Sequence, residues 1–360
     1  MKIAFLGPAP PFRGGIANFA VHLAEEMARQ SHTAQFFNFR SQYPALLFPS
    51  GDQYDNSQPT LTSIRVLTPY LPYTWQTTIK AINDWHPDIL IASWWLPYFA
   101  PAYGYVLGRV KCEIVMLAHN ILPHEAWPGT NLLLRYAFRH ASKIVVLRRT
   151  CLNDLKRTFP NAISTRAVLG FHPLYEHLHI EENHAQDHPG LLFFGLIKDY
   201  KGLDVLLKAM PIIRTAIPDI RLRIVGSVYG SVTKYETLIR ELDLRGTVEC
   251  HFRYVDESDA AHFFSISDVC ILPYKSATQS GVIATAFSYE TPVIASDVGG
   301  LGEYVEHNRT GLLVPPDDAP ALAAAVIRYY GESLMEPFRA AIIKLKDQNT
   351  WGELASLILR

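Results

Sequence analysis

Four stretches of this chain put hydrogen-bonding or ionisable residues beside a sharp turn and a helix start. In Leu191 to Met210, LLFFGLIKDYKGLDVLLKAM, an apolar run ends at Gly195, and a loop carries Lys198 and Lys201. Leu203, Leu206, Leu207 and Met210 then recur at helical spacing. Two ammonium groups beside the unpaired N–H groups and positive dipole end of a helix form a site for an anion such as phosphate; solvated loop charges are the alternative. In Pro273 to Glu303, Ser280-Gly281 precede a helical face of Val282, Ile283, Ala286 and Phe287, and Gly299-Gly300 repeat the opportunity one strand later. Small polar residues at that helix start offer side-chain and backbone donors to a diphosphate. Near the N-terminus, Gly14-Gly15 close the loop GPAPPFRGG, where bare backbone N–H groups suit an anion or a sugar, or the glycines simply make a turn. His119 follows the apolar run Glu113–Ala118, a place from which an imidazole can donate a hydrogen bond to a substrate hydroxyl or move a proton.

The elements that must hold these residues are written in the apolar rhythm. Short runs at Lys2–Leu6, Ala34–Phe37, Asp88–Ala92, Glu113–Ala118 and Lys143–Leu147 alternate with longer, partly helical segments. The first such segment places Ile16, Phe19, Ala20, Leu23, Ala24 and Met27 on one face, with Glu25, Glu26 and Arg29 off it. After a polar, linker-like stretch from His172 to Pro189 the rhythm restarts with Leu191–Phe194, then Arg221–Val225 before Gly226, Thr247–Phe252, Asp268–Leu272, Pro292–Ala295 and Leu312–Val314. Such alternation predicts two α/β domains, each a parallel sheet covered on both faces, with ligands at the carboxyl ends of the strands in a cleft between them. The second domain is expected to stop near Tyr330.

Composition narrows the function. A chain of 360 residues exceeds one compact core, and a net charge of -1 gives no reason to expect nucleic acid. Cys112, Cys151, Cys250 and Cys270 lack C-x-x-C spacing and read as reduced core thiols, and no secretory signal is expected at the N-terminus. The first glycine loop is not G-x-G-x-x-G and the second strand ends without an acidic residue, which argues against a nicotinamide enzyme. His177 and His179 alternate like ligands but have no second cluster, so no metal site is expected.

The uncharged stretch Ile89 to Gly108 has the length of a membrane span, but Pro97, Pro101 and Gly104 interrupt it and it opens in strand rhythm. Its aromatics Trp94, Trp95, Tyr98, Phe99, Tyr103 and Tyr105 form either a buried core or a face for an apolar acceptor or a membrane. From Arg135 to Arg157 the charges are Arg135, Arg139, Lys143, Arg148, Arg149, Lys156 and Arg157 against Asp154 alone. That surface would attract anionic lipid headgroups or a phosphate-bearing acceptor, unless it is only a solvated face.

Taken together, the G-x5-K-G of Gly195 to Gly202, the Gly226 strand end, the run TPVIASDVGGLGE from Thr291 to Glu303 and the G-L-L-V of Gly311 to Val314 resemble the donor domain of family four glycosyltransferases. These are retaining nucleotide-sugar enzymes of GT-B fold, and Gly14-Gly15, His119 and Trp351 match features of their front half and closing helix. The resemblance implies a domain of residues 1–170 plus 338–360, with a last helix crossing back, a linker at 171–190 and a donor domain at 191–337. It implies that Lys201, with Lys198, neutralises the departing diphosphate, that Gly15 approaches the phosphates and His119 the sugar, and that Tyr254 and Val255 meet the base. Gly14, Gly195, Gly226, Gln279, Ser280, Gly281, Val282 and Thr285 complete the implied donor-binding set, with no metal or cofactor.

The expected activity is transfer from a UDP-sugar, UDP-glucose first, to a lipid-linked or polysaccharide acceptor. The expected location is the cytoplasm or, through Arg135, Arg139, Arg148 and Arg149, the inner face of the cytoplasmic membrane. Two departures stand out. Leu196 replaces an arginine common in relatives, and the family's paired glutamates fall on Ala277 and Thr285, with Gln279, Ser280 and Gly281 as the substitute. An epimerase using Glu125, or a non-catalytic relative, are the alternatives.

Overall fold

The computed structural model describes all residues except 13, 45–60, 123–128, 161–162, 176–177, 179–187 and 278–279, and the side chains of 257 and 258. Its central strands form where short apolar runs are covered on both faces, and its helices where apolar residues recur on one face.

The first unit, residues 1–172 with 351–360, runs β1 (Lys2–Leu6), α1 (Gly15–Arg29), β2 (Thr33–Phe39), β3 (Ser63–Leu67), α2 (Tyr73–Trp85), β4 (Ile89–Trp94), α3 (Ala100–Leu107), β5 (Glu113–Ala118), α4 (Thr130–Phe138), β6 (Lys143–Val146), α5 (Arg149–Thr158) and β7 (Ala167–Leu169). All strands are parallel in the order β3-β2-β1-β4-β5-β6-β7. The second unit, residues 173–350, runs β8 (Gly190–Phe194), α6 (Leu203–Ala216), β9 (Arg221–Val225), α7 (Val232–Glu241), β10 (Val248–His251), α8 (Glu257–Ser265), β11 (Val269–Leu272), α9 (Gly281–Ser288), β12 (Val293–Ser296), α10 (Leu301–Tyr304), β13 (Gly311–Val314), α11 (Ala319–Gly331) and α12 (Met335–Gln348). Its parallel order is β10-β9-β8-β11-β12-β13. The chain then returns to the first unit as α13 (Trp351–Leu359), which packs on α1 through Trp351 and Phe19 and is tied to β6 by Lys143 Nζ donating to the Ile358 carbonyl at 3.0 Å.

Several expectations change. The segment 338–360 divides: Phe338 and Ile342 of α12 are buried in the second unit, and only α13 joins the first. The second unit therefore continues well past Tyr330. Strands β3 and β7 lie at the sheet edges, the first broken by Ser63 and Arg65 and the second only 3 residues long, so periodicity does not reveal them. Glu26, placed off the apolar face, is nearly buried and held by Arg29 at 2.6 Å. Of the four free cysteines Cys250 is exposed, so it is not a core thiol. The uncharged stretch from Ile89 is a strand, a one-turn segment at Pro97–Phe99 and the eight-residue α3, and among the described residues no helix is long and apolar enough to cross a membrane. Trp94, Phe99 and Tyr103 from that stretch are fully buried core.

Candidate active site

In the second sheet the order reverses between β8 and β11, the kind of switch point at which α/β sheets take ligands beyond the carboxyl ends of the strands. The loop after β8 turns at Gly195 (φ 96°), whose N–H donates to the Val225 carbonyl at 2.9 Å. It then makes a tight turn, Asp199–Lys201, and enters α6 through Gly202 in the left-handed region (φ 67°). A Cβ at Gly202 would overlap the Pro273 carbonyl oxygen, so only glycine lets the turn lie against the loop after β11. The Lys275 N–H completes that contact by donating to the Tyr200 carbonyl at 2.7 Å.

This pinning buries Lys201 to 8% exposure, with Nζ 5.2 Å from the Tyr274 ring centroid. Among the described residues it has no carboxylate partner. Its pKa falls to about 8, chiefly through burial; the Cys270 thiol opposes the shift and the Lys198 charge adds to it. A buried cation without a counterion is costly, and in a crevice it marks a site for an anion. The start of α9 lies beside it: a Gly195 Cβ would touch Val282 Cγ2 at 3.2 Å. Ser280 Oγ accepts the Val282 N–H at 3.3 Å and shares a 3.1 Å hydrogen bond with the Tyr274 hydroxyl, while Gly281 faces open space.

Gly195, Lys201, Ser280, Gly281 and Val282 are thus brought together. Gly226 adjoins them, because its backbone (φ 147°) passes so close to the Gly195 carbonyl that a Cβ would overlap it. Thr285 lies one turn into α9, its hydroxyl donating back to the Gly281 carbonyl at 3.1 Å. Lys198 extends instead over the Tyr229 ring, 4.8 Å from its centroid. Tyr254, 59% exposed, and buried Val255 follow β10. Gln279, like Glu125, His177 and His179, lies outside the described residues.

In the first sheet the order reverses between β1 and β4. Gly14 (φ 123°) caps α1 without a side-chain hydrogen bond, and nothing crowds Gly14 or Gly15. His119 follows β5, its N–H donating to the Trp94 carbonyl at 2.9 Å and its ring standing edge-on to Phe19 at 5.0 Å. Phe19 also meets the rings of His172 and Trp351. Among the described residues the buried His119 Nε2 has no hydrogen-bond partner, and burial, then His172 and Arg148, lower the pKa to about 3. The imidazole is therefore neutral near pH 7, suited to hydrogen bonding and not to acting as a cation.

The basic face is smaller than the sequence suggested. Arg148 is buried, with Nη2 donating to the His119 carbonyl at 3.1 Å and Asn120 Oδ1 at 3.0 Å, because the turn after β6 points it inward. Lys143 is engaged by α13, while Arg135, Arg139 and Arg149 stay exposed.

Two family models match, Glycosyltransferase Family 4 over residues 13–166 and Glycosyl transferases group 1 over residues 188–332. The chain belongs to the family four, group 1 glycosyltransferases. It is 33% identical over 177 residues to a D-inositol 3-phosphate glycosyltransferase of Jonesia denitrificans, covering 47% of this chain and 41% of that protein. It is 29% identical over 186 residues to a GDP-mannose:glycolipid 4-beta-D-mannosyltransferase of Xanthomonas campestris pv. campestris, covering 51% and 49%. The chain thus spans less than half the length of each of these curated relatives. Its fold is similar to HepE of Anabaena solved in complex with UDP, with a TM-score of 0.78 at 15% identity over 100% of this chain and 98% of that one. The architecture of this family four member is GT-B, two Rossmann-like parallel sheets with the C-terminal helix on α1.

Sequence reading missed Tyr274, the floor under Lys201, and the pair Asp204–Lys275, whose Oδ2 to Nζ distance of 2.8 Å fastens the start of α6 to the loop after β11. No local pattern announces them, since the partners Asp204 and Lys275 lie 71 residues apart in sequence. Tyr274 is separated from the apolar strand β11 by Pro273 alone, and that position was the available signal.

Proposed function

We propose that this chain transfers a hexose, with retention, from a nucleoside diphosphate sugar to an acceptor hydroxyl. The observation that carries the reading is Lys201: a buried ammonium without a carboxylate, set against the open start of α9. A diphosphate supplies the missing countercharge. In the reaction the bond from the anomeric carbon to the diphosphate oxygen breaks while the acceptor oxygen bonds to that carbon from the same face, and the acceptor proton passes to the departing oxygen. Lys201 and the α9 N–H groups stabilise the charge that develops, an effect on the order of 3 kcal/mol for one preorganised donor. His119, neutral and with Nε2 unpartnered, would hydrogen-bond a sugar hydroxyl, and Gly14 and Gly15 would leave room for ligand at α1. Tyr254 and Val255 would meet the base, Thr285 stands where a relative's glutamate would hold the ribose, and Lys198 would add charge at the rim.

UDP is the first choice of nucleotide and UDP-glucose of donor, supported by the fold likeness to a UDP complex; the relative named for GDP-mannose makes GDP the comparison. A lipid-linked or polysaccharide acceptor agrees with the relative named for a glycolipid. Arg135, Arg139 and Arg149 offer a cationic surface for an anionic membrane face from the cytoplasmic side. A non-catalytic member of the family is the second reading, favoured by Ala277 and Thr285 where the paired glutamates would stand. Calorimetric titration with UDP, GDP and NAD, followed by a UDP-glucose hydrolysis assay, tests both. UDP binding with slow hydrolysis supports transfer and overturns the second reading, and no nucleotide binding supports the second reading and overturns transfer.

A further inference from the structure

Strand β2 ends not with a carboxylate but with a buried amide. Asn38, its penultimate residue, has 0% exposure, and both halves of its side chain are engaged by backbone. Oδ1 accepts the Phe39 N–H at 2.7 Å and the Ala9 N–H at 3.3 Å. Nδ2 donates to the carbonyls of Ala9 at 2.8 Å and Pro10 at 3.1 Å, with Ser63 Oγ of β3 at 3.3 Å. The partners set the orientation of the amide, since N–H groups meet Oδ1 and carbonyls meet Nδ2. Asn38 thus pairs with both backbone groups of Ala9, as a neighbouring strand would, in a segment that has already left the sheet.

The loop after β1 depends on this partner. Ala9 is fully buried, and Pro10 and Pro11 have no N–H to offer. The Phe12 N–H donates to the Ala9 carbonyl at 3.0 Å, which closes a turn and sets the buried Phe12 ring edge-on to Phe39. Two residues on, Gly14 opens α1 without a side-chain cap. The start of α1 therefore takes its place from the loop, and the loop takes its place from Asn38.

We propose that Asn38 is a positioning residue for the transfer reaction: by gripping Ala9 and Pro10 it holds the glycine loop so that the open start of α1 is set against the donor. This rests on the transferase reading given above. Fully buried, Asn38 touches no ligand and acts through the loop. A preorganised helix start acts on charge as it develops, so the effect belongs to kcat, whereas UDP is held by Lys201 and the start of α9 in the other unit.

Asn38→Ala removes the amide, and Asn38→Asp keeps its shape but turns an acceptor onto the two carbonyls. Hydrogen exchange read by mass spectrometry on peptides covering Gly7 to Phe12 is expected to quicken about tenfold or more in both variants, with peptides of β8 and β9 unchanged. In a UDP-glucose hydrolysis assay, at a temperature where each variant is folded, kcat should fall about tenfold while UDP affinity stays within about twofold of the parent. If Asn38→Asp does not fold, Asn38→Ala carries the test alone. Unchanged exchange in the loop would show that Asn38 does not hold it, and faster exchange with an unchanged kcat would leave Asn38 a purely structural residue; either result overturns the proposal. So does a loss of UDP affinity as large as the loss of kcat. A parent protein that neither binds UDP nor hydrolyses UDP-glucose removes the transferase reading, and the positioning role with it, whereas an active parent matched by Asn38→Ala removes the positioning role alone.

Discussion

At the carboxyl edge between β8 and β11 the chain buries an ammonium group against a tyrosine and an open helix start, whereas the corresponding reversal between β1 and β4 is lined by a neutral imidazole, bare glycines and aromatic rings. Both places arise from the same α/β rhythm, and both present helix starts to a ligand. What differs is the residue that follows the strand. On the proposed reading, lysine in the turn after β8 suits one place to an anion, and histidine after β5 suits the other to hydroxyls. Sheet topology says where a ligand lies; a few side chains past the strand ends decide its charge.

The widest separation between the two places should come from their glycines. At Gly202 a side chain has no space and the backbone is left-handed, so Gly202→Val is expected to cost more than about 4 kcal/mol and to prevent cooperative folding of the second unit. Gly15 in the first unit faces open space, so Gly15→Ala should stay within about 1 kcal/mol of the parent. Urea denaturation followed by circular dichroism separates these outcomes. Equal stability of Gly202→Val and the parent would mean that the Lys201 turn is not pinned by the loop after β11.

Next in size is the contrast between the two ionisable side chains. Lys201→Ala is expected to lower turnover about a hundredfold or more, while the melting midpoint holds or rises, because a desolvated and unpaired charge has been removed. His119→Asn should cost nearer tenfold, the loss of a neutral hydrogen bond. A larger effect at His119 than at Lys201 in the same kinetic assay would reverse the assignment of the anion to the second unit.

How far the sequence foretold this contrast depends on how local each feature is. Gly195, Lys201, Ser280 and Gly281 were legible because strand end, turn and helix start follow one another along the chain, and β5 matched its apolar run residue for residue. The burial of Lys201 was not, since it depends on Tyr274 and Pro273 arriving from the loop after β11. Arg148 was assigned to a cationic surface from its neighbours in sequence, but the carbonyl of His119 and the amide of Asn120 draw it inside. Strands β3 and β7 escaped because polar residues interrupt the first and the second is a run of only 3 residues at the sheet edge. The place where the chain leaves the second unit was set too early because α12 is amphipathic enough for either unit, and only its buried Phe338 and Ile342 decide.

The pH dependence of the two places should run through different windows. The Lys201 pKa of about 8 lies below the ordinary lysine value of 10.5, so the folded ammonium carries its desolvation cost below pH 8 and sheds its proton first as pH rises. Stability of the unliganded protein therefore climbs between about pH 8 and 10.5, and Lys201→Met should abolish that climb. UDP affinity moves the other way, falling about tenfold from pH 7 to 9 as the ammonium is lost. For His119, with a pKa of about 3 against 6.5, the unfolded chain takes up a proton that the folded chain refuses, so stability falls as pH drops from 6.5 toward 3. A UDP affinity that is flat from pH 7 to 9 would show that Lys201 does not bind the diphosphate as a cation.

The smallest effect belongs to the helix start itself. Ser280 accepts the Val282 N–H and meets the Tyr274 hydroxyl, whereas α1 starts at Gly14 with no side-chain cap, so only the second unit should respond to loss of a cap. Ser280→Ala is expected to cost about 1 kcal/mol of stability and to weaken UDP about fivefold, since the start of α9 frays and its N–H groups lose alignment. Tyr274→Phe keeps the cap but removes the hydroxyl that steadies Ser280, so it should weaken UDP less than Ser280→Ala does, with the ring still under Lys201. Calorimetry on the two single variants and the double variant distinguishes a cap that acts through α9 from a hydroxyl that acts on the ligand. In the first case the double variant matches Ser280→Ala alone; in the second the losses add.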